Sequence, residues 1–359
     1  MKSMRNKGKE QIMITVGLTL ILIASYGYFY FAFFAPKASQ MTPVTRDAQT
    51  TVAVDGSAKL PVINKDDSFT IVALPDTQFY SMSHPDIFCK QTDWIASHKE
   101  SMNIVFVSQL GDIVNDGGKR LDEWANASKC LGKLDGVSPY SVVPGNHDLD
   151  ISGNKASGFS TFDKYFPVSR FSNNSWYGGY YGSNRNNFEI ISANGMKLAF
   201  LNLEIEPSDG ALNWAQSEVR AHPDAYTILT THKYLPDNSN SRDSSLSFSS
   251  NGNTGESIWK KLVNLNCQIS LTLNGHYAHA SQGELHPAAA GENHVTSTNS
   301  CGKSVNQVEQ DYQSLDNGGN GWLRLFVFTP KTRSIKVYTY SPYLDALNLD
   351  DPGRFDMKM

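Results

Sequence analysis

Basic tracts are missing from almost all of this chain, and cysteine is scarce. The 359 residues carry 31 Lys and Arg against 35 Asp and Glu, a formal net charge of −4. That balance argues against a nucleic-acid binder, which would draw its affinity from phosphate contacts. Only four cysteines occur, Cys89, Cys130, Cys267 and Cys301, and their spacings make no zinc knuckle. No segment repeats, so a solenoid is excluded. Charge of either sign is wholly absent from residues 12–35.

That uncharged run is the first positive signal. It exceeds the roughly 20 apolar residues that cross a bilayer, and is longer than the apolar core of about 7–15 residues in a cleaved signal peptide. Lys2, Arg5, Lys7 and Lys9 precede it against one acid, Glu10. The expected organisation is a short basic cytoplasmic tail (1–11), a transmembrane anchor (12–35), a linker (36–66), one large domain (67–345) and a C-terminal tail (346–359). The positive flank places the domain outside the membrane; the alternative is secretion after signal cleavage. All four cysteines lie beyond the anchor, and an even count there suggests two disulfides. Pairing near in sequence is expected, Cys89 with Cys130 and Cys267 with Cys301; the alternative is four buried thiols.

From residue 68 onward, apolar strand-length runs alternate with helical patterns. Strands are expected at 68–75, 104–107 and 140–143, with helices at 87–98 and 121–131 between them. A hairpin through Asn194-Gly195 joins 187–191 to 196–203. Further strands follow at 226–231 and 268–273, after helical patterns at 212–220 and 256–263. Such alternation makes a mostly parallel sheet with both faces covered, and ligands bind beyond the carboxyl ends of its strands. Polar residues stand at those ends: Asp76 and Gln78, Asp112, Asn146-His147-Asp148, His232, and His276 with His279. One histidine at a strand end is ordinarily a satisfied polar group. Carboxylates, imidazoles and amides at five strand ends are the donor set of a cation site, and two cations side by side can clamp an in-line displacement at phosphorus.

The ordered set Asp76-x-Gln78, Gly111-Asp112 with Asn115-Asp116, Gly145-Asn146-His147-Asp148, His232 and Gly275-His276 resembles the calcineurin-like metallophosphoesterase family. The stretches Asp311-Tyr312-Gln313, Gly319 to Arg324 and Val337 to Pro342 resemble the C-terminal strands of a bacterial branch with Gln in the first motif. The resemblance implies an α/β fold, an αββα sandwich of two mixed β-sheets flanked by helices. It implies two metal ions (Mn, Fe, Zn or Mg), a phosphate mono- or diester substrate, and attack by a metal-bridging hydroxide. Asp112 would bridge the metals. Asp76, Gln78 and His279 would complete the first site, and Asn146, His232 and His276 the second. His147 would serve the leaving group, held in place by Asp148. Two departures fall on the first site: Gln78 stands where His is usual, and two residues rather than one separate His276 from His279. A non-catalytic surface protein that keeps the fold and a metal is the other reading. Residues 236–255, rich in Ser and Asn, begin just after His232 and are expected to rim the site or to form a bland surface insertion.

Overall fold

The computed structural model describes residues 54–55, 59–237, 239–278, 280–281, 284–285, 290–349 and 353–359. The segment read as an anchor, 12–35, lies outside them. Among the described residues no helix is long and apolar enough to cross a membrane.

In chain order, β1 is Val54–Asp55 and β2 is Phe69–Leu74. Helices α1 (Gln78–Ser83) and α2 (Pro85–His98) lead to β3 (Ile104–Gln109), and α3 (Leu121–Leu131) leads to β4 (Tyr140–Ser141). Short helices α4 (Ser160–Tyr165) and α5 (Val168–Phe171) precede β5 (Tyr177–Tyr181), β6 (Ser183–Ala193) and β7 (Met196–Leu203). Then come α6 (Asp209–Ala221), β8 (Tyr226–Thr231), α7 (Gly255–Lys261) and β9 (Ile269–Asn274). A small pair, β10 (Ala280–Ser281) and β11 (Glu284–Leu285), is followed by β12 (Gly291–Thr298), β13 (Ser304–Asp311), β14 (Leu323–Thr329), β15 (Ser334–Ser341), β16 (Ala346–Asn348) and β17 (Arg354–Lys358).

These strands build two mixed sheets, ordered β1-β16-β15-β14-β2-β3-β4, with β17 also on β15, and β12-β13-β9-β8-β7-β6-β5. The parallel part of each, β2-β3-β4 and β7-β8-β9-β13, carries the strand ends singled out by sequence.

Alternation explains the layering. In β2, Phe69, Ile71 and Ala73 face the other sheet, whereas Val72 and Leu74 join the cluster under α1 to α3. Across the gap, Phe200, Ile228, Leu271 and Leu273 meet them, and Phe106 stacks on Phe200 with centroids 3.5 Å apart. Truncating one such aromatic to Ala costs about 3–5 kcal/mol. Leu201, Leu229 and Ile269 pack beneath α6 and α7. Local signals start the helices. Pro85 stands in the first turn of α2, where a missing N–H costs nothing. The Ser208 and Thr254 side chains cap α6 and α7 by accepting from the Ala211 and Ser257 amides.

Three expectations change. The third strand stops at Ser141; Val142 and Val143 are buried but outside the ladder, on the approach to Pro144. Residues 346–358, set apart by sequence as a tail, supply β16 and β17, both paired with β15. The linker is likewise not all linker, since β1 pairs with β16. Both expected disulfides, Cys89–Cys130 and Cys267–Cys301, are formed.

Candidate metal centre

Asp76, Asp112 and His276 follow β2, β3 and β9 directly, and all three have positive φ, at 39°, 47° and 80°. Such backbone is uncommon outside glycine and gathers at functional sites. The glycines nearby make room for the ligands. A Cβ at Gly111 would strike the His232 ring, one at Gly145 the Asp112 carboxylate, and one at Gly275 the Asp76 carboxylate. Gly-Asp, Gly-Asn and Gly-His are thus spatial requirements of one another's side chains.

The imidazoles are aimed by the backbone. His232 Nδ1 lies 2.9 Å from the Leu110 carbonyl, which fixes the proton there and leaves Nε2 as the lone-pair nitrogen. That Nε2 is 3.2 Å from Asp112 Oδ2, and donor atoms of Asp112, His232 and His276 all lie within 4.8 Å of one another. The His232 and His276 rings meet edge to face at 5.0 Å. His232 Nε2 and Asn146 Oδ1 are both buried without a hydrogen-bond partner. Orphaned buried acceptors are costly unless something else occupies them, and an imidazole nitrogen on a carboxylate, with a buried amide oxygen on the adjoining turn, fits a cation. Asp112, His232 and His276 converge, and Asn146 lies between Gly145, which packs on the Asp112 carboxylate, and His147, whose amide donates to it.

Around them lies more negative charge than the histidines can balance. Burial, then the charges of Asp311 and Asp112, drive the Asp76 carboxyl well above the ordinary carboxylate range. Burial works the same way on Asp112, but protonated His232, by charge and hydrogen bond, and His147 beside it together outweigh burial and bring Asp112 down to about 2; a cation between His232 and Asp112 would take that proton's place. Burial and the neighbouring His232 push His276 down to about 3, leaving it neutral and able to ligate. Cations placed among these carboxylates would let all of them ionise.

The first site is reached by Asp76, Asp112 and Gln78. The Gln78 amide is satisfied when its nitrogen faces the Asp76 and Asp112 carbonyls, at 3.2 and 3.1 Å. Its oxygen then lies 3.4 Å from Asp112 Oδ2, a pairing of acceptors suited to a shared cation. His279 lies outside the described residues.

Asp148 does not hold His147. Its carboxylate accepts from the amides of Ile113, Val114 and Gly145, at 3.1, 3.0 and 2.8 Å, and so ties the turn after β3 to the turn after β4. The His147 ring is set instead by the Asn115 carbonyl, 2.8 Å from Nδ1. A buried Asp so close to Asp112 is more useful as an acceptor for three amides than as a ring partner.

Residues 69–278 match the family description of calcineurin-like phosphoesterases. The chain belongs to that family. This phosphoesterase chain is 34% identical over 296 residues to the uncharacterized protein YvnB of Bacillus subtilis (strain 168), covering 81% of this chain and 21% of that relative. It therefore spans about a fifth of the relative's length. Among solved structures, a dimetal phosphatase from Danio rerio overlays with a TM-score of 0.48 at 13% identity, covering 81% of this chain and 98% of that one. GAP50, the anchor in the inner membrane complex of Plasmodium, overlays at 0.48 with 11% identity, covering 82% and 89%.

Several groups at the site were not singled out by sequence. Glu123 accepts from the Asn115 and Asp116 amides at 2.8 and 3.0 Å, fixing the loop whose carbonyl aims His147. Lys233, next to His232, is buried between Glu206 and Asp243. Glu206 in turn accepts from the amides of Ser247, Phe248 and Ser249. Residues 247–249 are thus pinned down, and the Phe248 ring stands edge-on to His276 at 5.6 Å. A Lys directly after a strand-end His was the available signal.

Proposed function

We propose that this chain hydrolyses phosphate mono- or diesters at a dinuclear metal centre held by Asp76, Gln78 and Asp112 on one side and Asp112, Asn146, His232 and His276 on the other. The observation that carries the reading is the convergence of Asp112, His232 and His276, with the orphaned His232 nitrogen on the Asp112 carboxylate and the orphaned Asn146 oxygen on the turn packed against it. When bound, two cations there supply Lewis-acid charge to the phosphoryl oxygens and acidify a water.

The protein's own groups do the rest. Asp112 Oδ2 lies towards both His232, at 3.2 Å, and the Gln78 amide, at 3.4 Å, while Oδ1 accepts the His147 amide at 2.9 Å. With the Nδ1 proton given to the Asn115 carbonyl, Nε2 is the nitrogen left to face the reaction; the imidazolium form of His147 would give its second proton from there to the departing oxygen. Phe248 walls the side at His276. A cavity of about 410 Å³ beyond it, lined by Lys155, Glu204 and Asn251 among others, would receive part of the substrate's organic group.

We propose also that the domain works outside the membrane, tethered by residues 12–35. The two disulfides support an oxidising compartment. Protease protection in intact cells and spheroplasts, with the N-terminus of the mature chain sequenced, would check this: cleavage before residue 36 means secretion instead.

The test of function is a panel of phosphate mono- and diesters with the full chain, Mn²⁺ and a His147→Ala control. Hydrolysis lost in the control supports the reading. Metal bound with no ester hydrolysed would leave a metal-binding surface protein.

A further inference from the structure

We propose that the first metal site is completed by Gln313, whose amide oxygen is a ligand and whose orientation is fixed by Asp311; the proposal rests on the dinuclear reading above. The strand β13 runs parallel to β9, with Glu309 beside Asn274. Continuing that register brings Asp311 level with His276, at the same edge of the sheet as the other ligands. It is the carboxyl end of one more parallel strand, and Asp311-Tyr312-Gln313 forms the turn that leaves it.

The donor count around two amides carries the argument. Gln313 gives its backbone N–H to Asp311 Oδ1 and its side-chain N–H to Asp311 Oδ2, both at 2.9 Å. This two-point grip leaves the Gln313 oxygen turned away from Asp311, against the Gln78 amide. Gln78 in its turn has two backbone carbonyls, of Asp76 and Asp112, waiting for its nitrogen. If both nitrogens serve those partners, the two amide oxygens face each other with Asp112 Oδ2 at 3.4 Å from that of Gln78. If Gln78 turns over to donate to Gln313, its own oxygen is pressed on two carbonyl oxygens. Turning Gln313 instead presses its oxygen on the Asp311 carboxylate. No arrangement of the two amides satisfies every atom by hydrogen bonds alone. A cation among the oxygens of Gln78, Gln313 and Asp112 satisfies all of them at once.

A second observation points the same way. Glu309, wholly buried two residues before Asp311, has neither carboxylate oxygen hydrogen-bonded. With Asp311 and Asp76 it makes three buried carboxyls at this end of the sheets. Three buried carboxyls beside three converging oxygens are the surrounding of a hard cation. Among the described residues the donors Asp76, Asp112, Gln78 and Gln313 are all oxygen, a set that suits Mn²⁺ or Mg²⁺ over Zn²⁺.

The experiment is calorimetric titration of the metal-free full chain with Mn²⁺ at pH 8, with the melting temperature recorded with and without metal. Wild type should show a tight and a weaker step. Gln313→Ala should weaken the second of these about tenfold or more, and Asp311→Asn by about 10–100-fold, as losing an orienting partner does. Gln313→Glu alone presses an oxygen on the Asp311 carboxylate, but paired with Asp311→Asn, whose amide can donate to it, it should bring the weaker step back. Asp311→Asn turns an N–H group on the Gln313 amide, so it should lower the metal-free melting temperature as well as shrink the gain on adding Mn²⁺. A merely structural pair would lower the first and leave the gain on adding Mn²⁺ unchanged. Two wild-type steps that Gln313→Ala leaves unmoved would overturn the proposal. A wild type that binds no metal would instead overturn the dinuclear reading beneath it.

Discussion

His147 is aimed by the Asn115 carbonyl, 2.8 Å from its Nδ1, while its sequence neighbour Asp148 spends its carboxylate on three backbone amides. The two residues therefore do separate work, and substitution should separate them. His147→Ala should lower kcat by about 10²–10⁴-fold, the usual worth of a proton donor, with bound metal and melting temperature little changed. Asp148→Asn turns an N–H group towards backbone donors and should cost about 1–3 kcal/mol of stability, seen as a lower melting temperature. Asp112→Asn should remove most bound metal and nearly all activity. Metal content measured on all three variants decides it: equal metal loss in His147→Ala and Asp112→Asn would show that the roles are not divided this way.

The ligand-bearing strand ends were legible because each announces itself twice, as an apolar run that stops and as a polar residue beside a glycine. Gly111-Asp112 and Gly275-His276 stand out by that pattern, and the structure supplies a reason for the glycines: a Cβ would strike the His232 ring or the Asp76 carboxylate. What failed to read was partnership across the chain. Asp148 next to His147 looks like its partner, yet the amides it serves belong to Ile113, Val114 and Gly145. Asp311 and Gln313 lie more than two hundred residues from Asp76 and reach it only because β13 falls beside β9. The strands β16 and β17 were missed because Ala346–Asn348 is too short to show a period and Arg354–Lys358 is mostly polar.

Gln78→His tests the first site from the other side. An imidazole there is a stronger donor for Zn²⁺ than a neutral amide oxygen, so the weaker binding step should tighten and shift its preference towards Zn²⁺ over Mg²⁺. The tighter step, which rests on Asn146, His232 and His276, should stay where it is. Competition titrations with Zn²⁺ and Mg²⁺ read both. An unaltered weaker step would mean that Gln78 contributes no ligand.

The two disulfides should matter to folding and little to chemistry. Cys89 on α2 is bonded to Cys130 on α3, so the bridge joins the two helices over β2 and β3. Cys267–Cys301 ties the start of β9 to the turn between β12 and β13. Removing a native bridge of this kind costs about 2–4 kcal/mol. The pair Cys89→Ser with Cys130→Ser should lower the melting temperature while leaving kcat of the folded fraction near wild type. A loss of bound metal at 25 °C would instead mean that the bridge shapes the site itself.

The segment 236–255 should come loose in acid. Glu206 is its anchor, taking the Ser247, Phe248 and Ser249 amides and the Ser249 hydroxyl, with Lys233 at 3.2 Å. Burial alone would raise the Glu206 carboxyl, but these hydrogen bonds and the Lys233 charge outweigh it and hold it below the ordinary glutamate range; Asp243, also on Lys233, is held low in the same way. A carboxyl lowered on folding stabilises above its unfolded value and stops doing so as pH falls through the folded one. Attachment should therefore be constant from pH 7 to 5 and fail below about pH 4, the ordinary range for a free glutamate. Glu206→Gln, which cannot keep the Lys233 pair and four acceptor contacts, should free the segment even at pH 7. Hydrogen exchange of peptides from residues 239–253 in metal-free protein reads this, with β14 peptides reporting any global unfolding. With Phe248 no longer held beside His276, the variant should also lose its discrimination between large and small esters while keeping its metal. Wild-type protection in Glu206→Gln at pH 7 would show that Glu206 is not what holds the rim.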